Sequence, residues 1–233
     1  MTTTADQTAQ RRKPLSRNRV LIAAVHLADS DGIEAVTMRR LGTELGVEAM
    51  SLYNHVANKN DLLDGVVDLI VDDINTRVAL ASPPTGSDDW KRAMRDRILA
   101  ARSVMLDHKW APSVIETRAS LSPAIIGYFD GLLGVFRTGG FSYDLAHHAL
   151  HALGSRAIGF TQELFEESGS DDTMTSEQLK QMVTSFPNIG EMLEVVSHDG
   201  PDDTVGWCDD QTEFIFGLDL LLDGLDRARL AEA

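Results

Sequence analysis

The sequence holds a single cysteine, Cys208. No intramolecular disulfide can form and no cluster of thiolates can hold a metal, so a reducing compartment is the simple expectation. Apolar runs are short. None approaches the roughly 18–20 residues needed to span a bilayer, so no membrane partner is expected. The first residues, MTTTADQTAQRRKPLSRNRV, include basic side chains with no apolar stretch behind them, so no secretory signal is expected. A cytoplasmic protein is the expectation. Sustained alternation with β-branched enrichment is also missing, as is any repeat at a fixed period. So are the Gly-x-Ser-x-Gly elbow, the phosphate loop, the dinucleotide fingerprint and the zinc-protease motif. A helical hydrolase would lack its machinery, and no enzyme activity or cofactor is expected.

Positive charge is short too: 21 Lys and Arg stand against 36 Asp and Glu, a net −15. Taken whole, that argues against a polyphosphate partner. The deficit is uneven, however. Residues 1–60 hold eight basic and six acidic side chains, net +2, whereas residues 61–233 hold 13 and 30, net −17. Arg11, Arg12, Lys13, Arg17 and Arg19 form a local +5 with no acid between Arg11 and Leu27. They would supply salt-sensitive, sequence-independent attraction to phosphate.

What is present reads as helix almost throughout. With 233 residues and 43% hydrophobic composition the chain can bury a sizeable core. Ser16 caps a first helix whose Leu21, Ala24, Val25 and Ala28 share one face, and Asp31-Gly32 ends it. Thr37 caps a short second helix carrying Leu41 and Leu45, with Gly46 placed as its left-handed C-cap. A third runs near Glu48–Asn54. Asn58 opens a long fourth helix to about residue 79, with Asp61 complementing its dipole. The row Asp64, Asp68, Asp72 reads as a solvated face. The stretch ASPPTGSDD (81–89) is a loop. Further helices are expected at about 89–107, 122–138, 142–167, 175–186 and 207–230, with ESGSDD (167–172) and PNIGEMLEVVSHDGPDD (187–203) between them as irregular segments. The expected fold is all-α. Its parts are a disordered basic arm (1–14), a three-helix module with a helix-turn-helix (15–62), and a larger helical body (63–233).

Residues 37–56, TMRRLGTELGVEAMSLYNHV, have the layout of a helix-turn-helix. Leu41, Leu45, Val47, Leu52 and Val56 lock two short helices around a Gly turn. The second helix presents small and polar groups suited to a major groove.

The run GIEAVTMRRLGTELGVEAMSLYNHVANKNDLLDGVVD resembles the DNA-binding domain of the tetracycline-repressor (TetR) family, over roughly 50 residues from Arg17 to Asp68. RTGGFSYDLAHHALHALGSRAIGF and FIFGLDLLLDGL are similar to the body of the tetracycline-repressor subgroup. The resemblance implies that Thr37, Tyr53, His55 and Lys59 hold phosphates while Arg39, Ala49, Met50, Ser51 and Asn54 face bases. It also implies a pocket that includes Asn75, Arg97, His108, Arg118, His151, Gln162 and Glu163. The subgroup's metal-binding His is not matched: Val114 or Ile115 stands there, with His108 several residues earlier. A magnesium–tetracycline complex is therefore not the expected inducer, and an apolar or amphipathic ligand is.

The closing helix carries a broad apolar stripe with Leu218, Leu221, Leu222 and Leu225, and helix 142–167 offers Leu150, Gly154 and Ile158. These are the candidate dimerisation residues across a two-fold axis. His147 and His151 lie four apart, half of a metal site, and no metal ion is expected. The functional expectation is a ligand-responsive repressor. Its homodimer would bind a palindromic operator and let go when a small molecule enters the body and shifts helix 58–79. The alternative is a dimeric small-molecule-binding protein without DNA-binding activity, separable by substituting Lys59 or Tyr53.

Overall fold

The computed structural model describes residues 14–80, 84, 86–118, 122–159, 181, 184–188, 191 and 210–232. Every regular element among them is helical: α1 (Arg17–Asp31), α2 (Met38–Leu45), α3 (Ala49–Leu52), α4 (Lys59–Ala79), α5 (Trp90–Asp107), α6 (Ala111–Glu116), α7 (Pro123–Thr138), α8 (Tyr143–Gly159) and α9 (Asp210–Glu232). The caps follow the side chains. Ser16, Thr37, Asn58 and Ser122 each accept a hydrogen bond from the backbone N–H three residues on, satisfying a donor that the helix leaves unpaired.

The structure adds what the sequence pattern does not show. Short 3₁₀ turns occupy Ile33–Ala35 and Ser87–Asp89. Helix α6 falls where the pattern predicts none; its Pro112 sits in the first turn, where no N–H is needed. Regular helix in α3 stops at Leu52, and Tyr53–His55 form a turn closed by His55 N–H donating to Leu52 O at 2.9 Å. The expected helix 142–167 is described only to Gly159. The basic arm up to residue 13, the segments 167–172 and 192–203, and most of 175–191 lie outside the described residues.

The chain divides into two compact units, residues 1–161 with 224–233, and residues 162–223. In the first, one hydrophobic cluster runs from Val20, Leu27, Leu41 and Leu52 through Leu62, Val66 and Ile70 of α4 to Val104, Ala111 and Val114. Helix α4 is thus shared by the helix-turn-helix and the helices that follow. Two glycines allow close packing here. A Cβ at Gly42 would lie 2.9 Å from the Val47 carbonyl, and one at Gly65 would lie 2.8 Å from Leu21. A smaller cluster joins Trp90, Phe136 and Phe141, with Trp90 edge-on to Phe141 at 4.6 Å and its indole N–H donating to Asp226 at 3.3 Å. In the second unit, Phe214, Leu218 and Leu222 are buried while Phe216 and Leu220 are exposed.

Candidate DNA-reading face and ligand cavity

The helix-turn-helix is built around Gly46. It adopts φ 66°, ψ 38°, the left-handed region that glycine enters freely, and so reverses the chain between α2 and α3. Val47 N–H then donates to the Gly42 carbonyl at 2.9 Å, which holds the start of α3 against α2. Leu41, Leu52 and Val56 are buried beneath this corner.

The outer surface carries the residues expected to meet DNA. Thr37, Arg39, Met50, Tyr53, Asn54 and Lys59 are exposed, Met50 to 75%, and Ala49, Ser51 and His55 are half-buried. Neither Arg39 nor Lys59 has an ion-pair partner among the described residues, so both charges remain available. Their neighbours differ. Arg40 is tied to Asp31, and Arg17 to Asp61. Thr37 accepts from Arg40 N–H at 3.2 Å, leaving its own hydroxyl proton free to donate.

Behind this module lies a cavity of about 120 Å³ (space for the centres of water-sized molecules). Its walls are Val67, Val71 and Ile74 of α4, Met94, Ile98, Ala101 and Met105 of α5, Ile115 of α6, and residues of α7 and α8 that include Tyr128, Phe129, Leu132, Leu150 and Gly154. The lining is apolar apart from the Tyr128 hydroxyl and two thioethers. Burial pushes the Tyr128 phenol up to about 12, with the nearby Arg97 charge pulling the other way.

The polar residues expected in the pocket stand elsewhere. None of Asn75, Arg97, His108, Arg118 and His151 lines this cavity. Arg97 packs on Gly131 of α7, and its charge acts on the Tyr128 phenol of the wall. His108 donates from Nδ1 to Asp29 at 2.7 Å, and Trp110 donates its indole N–H to the same carboxylate oxygen at 2.7 Å. Arg118 lies 3.4 Å from Asn60 and Asp64 on α4, so Asp64 is paired rather than part of a purely solvated face. His151 is exposed on α8, edge-on to His147 with ring centroids 4.7 Å apart. Gln162 and Glu163 lie outside the described residues. Leu150 and Gly154, candidates for the dimer seam, line the cavity. Leu218 and Leu222 are buried, Leu221 and Leu225 partly so, and the Ile158 side chain lies outside the described ones. Among the described residues no group of three or more His, Cys, Asp and Glu side chains could hold a metal ion. No described helix is long and apolar enough to cross a membrane.

Comparison with known proteins matches these two parts separately. Residues 20–66 fit the model for bacterial regulatory proteins of the tetR family, and residues 82–229 fit the tetracyclin repressor-like C-terminal domain. The chain belongs to the TetR family. It is accordingly a DNA-binding transcriptional regulator with a ligand-responsive helical body. Among relatives of this TetR protein, the HTH-type transcriptional repressor DrrR1 of Streptomyces coeruleorubidus is 28% identical over 91% of this chain and 77% of its own. Tetracycline repressor protein class C of Escherichia coli is 26% identical over 93% of each chain. Among solved structures, ActR of Streptomyces coelicolor in complex with actinorhodin aligns with a TM-score of 0.68 and 25% identity over 93% of this chain and 99% of that one.

One unexpected pairing had a signal in the sequence. The Trp in HKWAP needs an acceptor for its N–H once buried, although the sequence does not say which residue supplies it. The cavity itself had no signal, because apolar lining and apolar core look alike in a sequence.

Proposed function

We propose that this TetR-family protein is a cytoplasmic repressor whose homodimer holds a palindromic operator and lets go when a largely apolar small molecule occupies the cavity between α4, α5, α6, α7 and α8. Phosphate contacts fall to Thr37, Tyr53, His55 and Lys59, and base contacts to Arg39, Ala49, Met50, Ser51 and Asn54. The candidate dimer contacts are Leu150, Gly154, Ile158, Leu218, Leu221, Leu222 and Leu225. Catalysis plays no part.

One observation carries the reading: α4 is both reader support and cavity wall. Lys59 opens it, and Val67 meets the cavity two turns later, about 12 Å along the axis. A ligand that pushes on Val67, Val71 or Ile74 therefore pushes on the base of the reading head. It needs only to bind the displaced arrangement better than the operator-bound one.

The lining also bears on ligand class. Ile115 stands in the wall near where the tetracycline-repressor subgroup is expected to place a metal-binding His, and the described lining offers a cation no carboxylate, imidazole or thiol. That favours an apolar ligand over a metal chelate. The test is operator retardation, using DNA from upstream of the gene itself, titrated with apolar aromatic compounds. Failure of the folded dimer to bind at low salt would refute the DNA reading. Binding that no such compound relieves would refute the ligand class.

A further inference from the structure

A cavity walled by aliphatic and aromatic side chains selects for shape but has little means of fixing which way a ligand lies. One hydroxyl breaks that uniformity. Tyr128 projects from α7 and lines the cavity, and no hydrogen-bond partner for its oxygen occurs among the described residues. The group is thus an unused donor beside apolar space. We propose, resting on the reading that the cavity is the ligand site, that Tyr128 orients the inducer by donating a hydrogen bond. The inducer would then be a mostly apolar ring compound bearing one accepting oxygen, such as a ketone or quinone carbonyl.

The chemistry suits a donor rather than an acceptor. A phenol pushed up to about 12 keeps its proton across the whole physiological range. A ligand hydroxyl could also accept this bond, but a ligand without any oxygen would leave the donor unanswered. Arg97, close enough to act on the phenol, adds positive potential behind it and favours an electron-rich oxygen over a cationic group.

A matched pair of probes tests this: 2-acetylnaphthalene and 2-isopropenylnaphthalene, which differ only in C=O against C=CH₂. Calorimetric titration of the full-length dimer is expected to give roughly fivefold tighter binding of the ketone, the ratio for one net hydrogen bond. In Tyr128→Phe that preference is expected to vanish while the alkene binds as before and operator binding persists. Equal affinity of the two probes for the unaltered protein would overturn the role of Tyr128 alone, as would a preference that survives in Tyr128→Phe. Binding of neither probe would overturn both this proposal and the assignment of the cavity as the ligand site.

Discussion

Arg17 and Asp61 form a two-pronged ion pair, with guanidinium nitrogens 2.9 and 2.7 Å from the two carboxylate oxygens. The same guanidinium donates to the carbonyls of His55 and Asp61, and the carboxylate accepts Ala57 N–H at 2.7 Å. The first residue of α1 thereby clips the turn after α3 to the start of α4. By composition Arg17 counts among the phosphate-seeking cations, yet its charge is already committed.

The two roles separate in salt titrations of operator binding. Lys59→Ala is expected to weaken binding on any sequence and to make the slope of log K against log salt shallower by about 1.8, the share of two neutralised phosphates, one for each subunit of the dimer. Arg17→Gln should leave that slope within error while lowering affinity through a loosened turn. A slope change equal to that of Lys59→Ala would return Arg17 to the phosphate-binding set.

Asp61 also makes stability depend on pH. Its hydrogen bonds with Arg17 and then Ala57 N–H hold the carboxyl below its ordinary value, near 3.9 when unfolded. The folded state therefore gains from this group above about pH 4, and the gain is lost as pH falls through the lowered folded value. The pair is part-exposed, so the gain is at most about 1 kcal/mol. Urea midpoints should separate the native protein from Asp61→Asn at pH 7, and the gap should narrow steadily as pH falls below about 4.

Gly42→Ala places a methyl carbon 2.9 Å from the Val47 carbonyl and 3.2 Å from Ala49 N, both backbone atoms. Neither can swing aside, so α3 must shift. The expected cost is about 1–3 kcal/mol, with operator affinity falling more than ligand affinity. Thermal melts and retardation assays on the same preparation would show the difference. Unchanged operator binding would mean that the corner has slack.

Asp29→Ala removes the shared acceptor of His108 and Trp110 at the junction between α1 and the α5–α6 corner. The orphaned indole N–H is expected to cost about 1–3 kcal/mol, nearer the low end because water reaches the site. Since Ile115 of the adjacent α6 walls the cavity, the coupling between ligand and operator should weaken too. Trp110→Phe keeps the packing without the donor and should show the smaller loss. Ligand-dependent operator release, measured for both variants, decides whether this clamp transmits or merely holds.

At Gly139 an added Cβ would lie 2.7 Å from Cγ of Trp90, in the middle of the buried Trp90–Phe136–Phe141 cluster. Gly139→Ala should destabilise by about 1–3 kcal/mol and leave the helix-turn-helix intact. Tryptophan fluorescence during denaturation reports on it directly.

Much of the reading module was legible because its signals are local. Ser16, Thr37 and Asn58 declare helix starts, and Gly46 declares the corner, each within a few residues of the backbone group it serves. The site in the body was not. Family resemblance assigns Arg118 and His108 to a pocket, but a polar side chain goes where its partner is, and Asp64 and Asp29 lie 54 and 79 residues away. Val67 carries the pattern of a core residue and is buried, yet nothing in the spacing says that a cavity lies beside it.

The apolar walls around Tyr128 also limit how finely a regulator can discriminate. A hydrophobic pocket separates ligands differing by one methylene by only about 10–200-fold, and strong rejection requires a polar group left unanswered. With one hydroxyl to answer, this cavity would accept a compound and its near derivatives alike. Such a switch would respond to chemical kinship, with each of several closely related ring compounds able to lift repression.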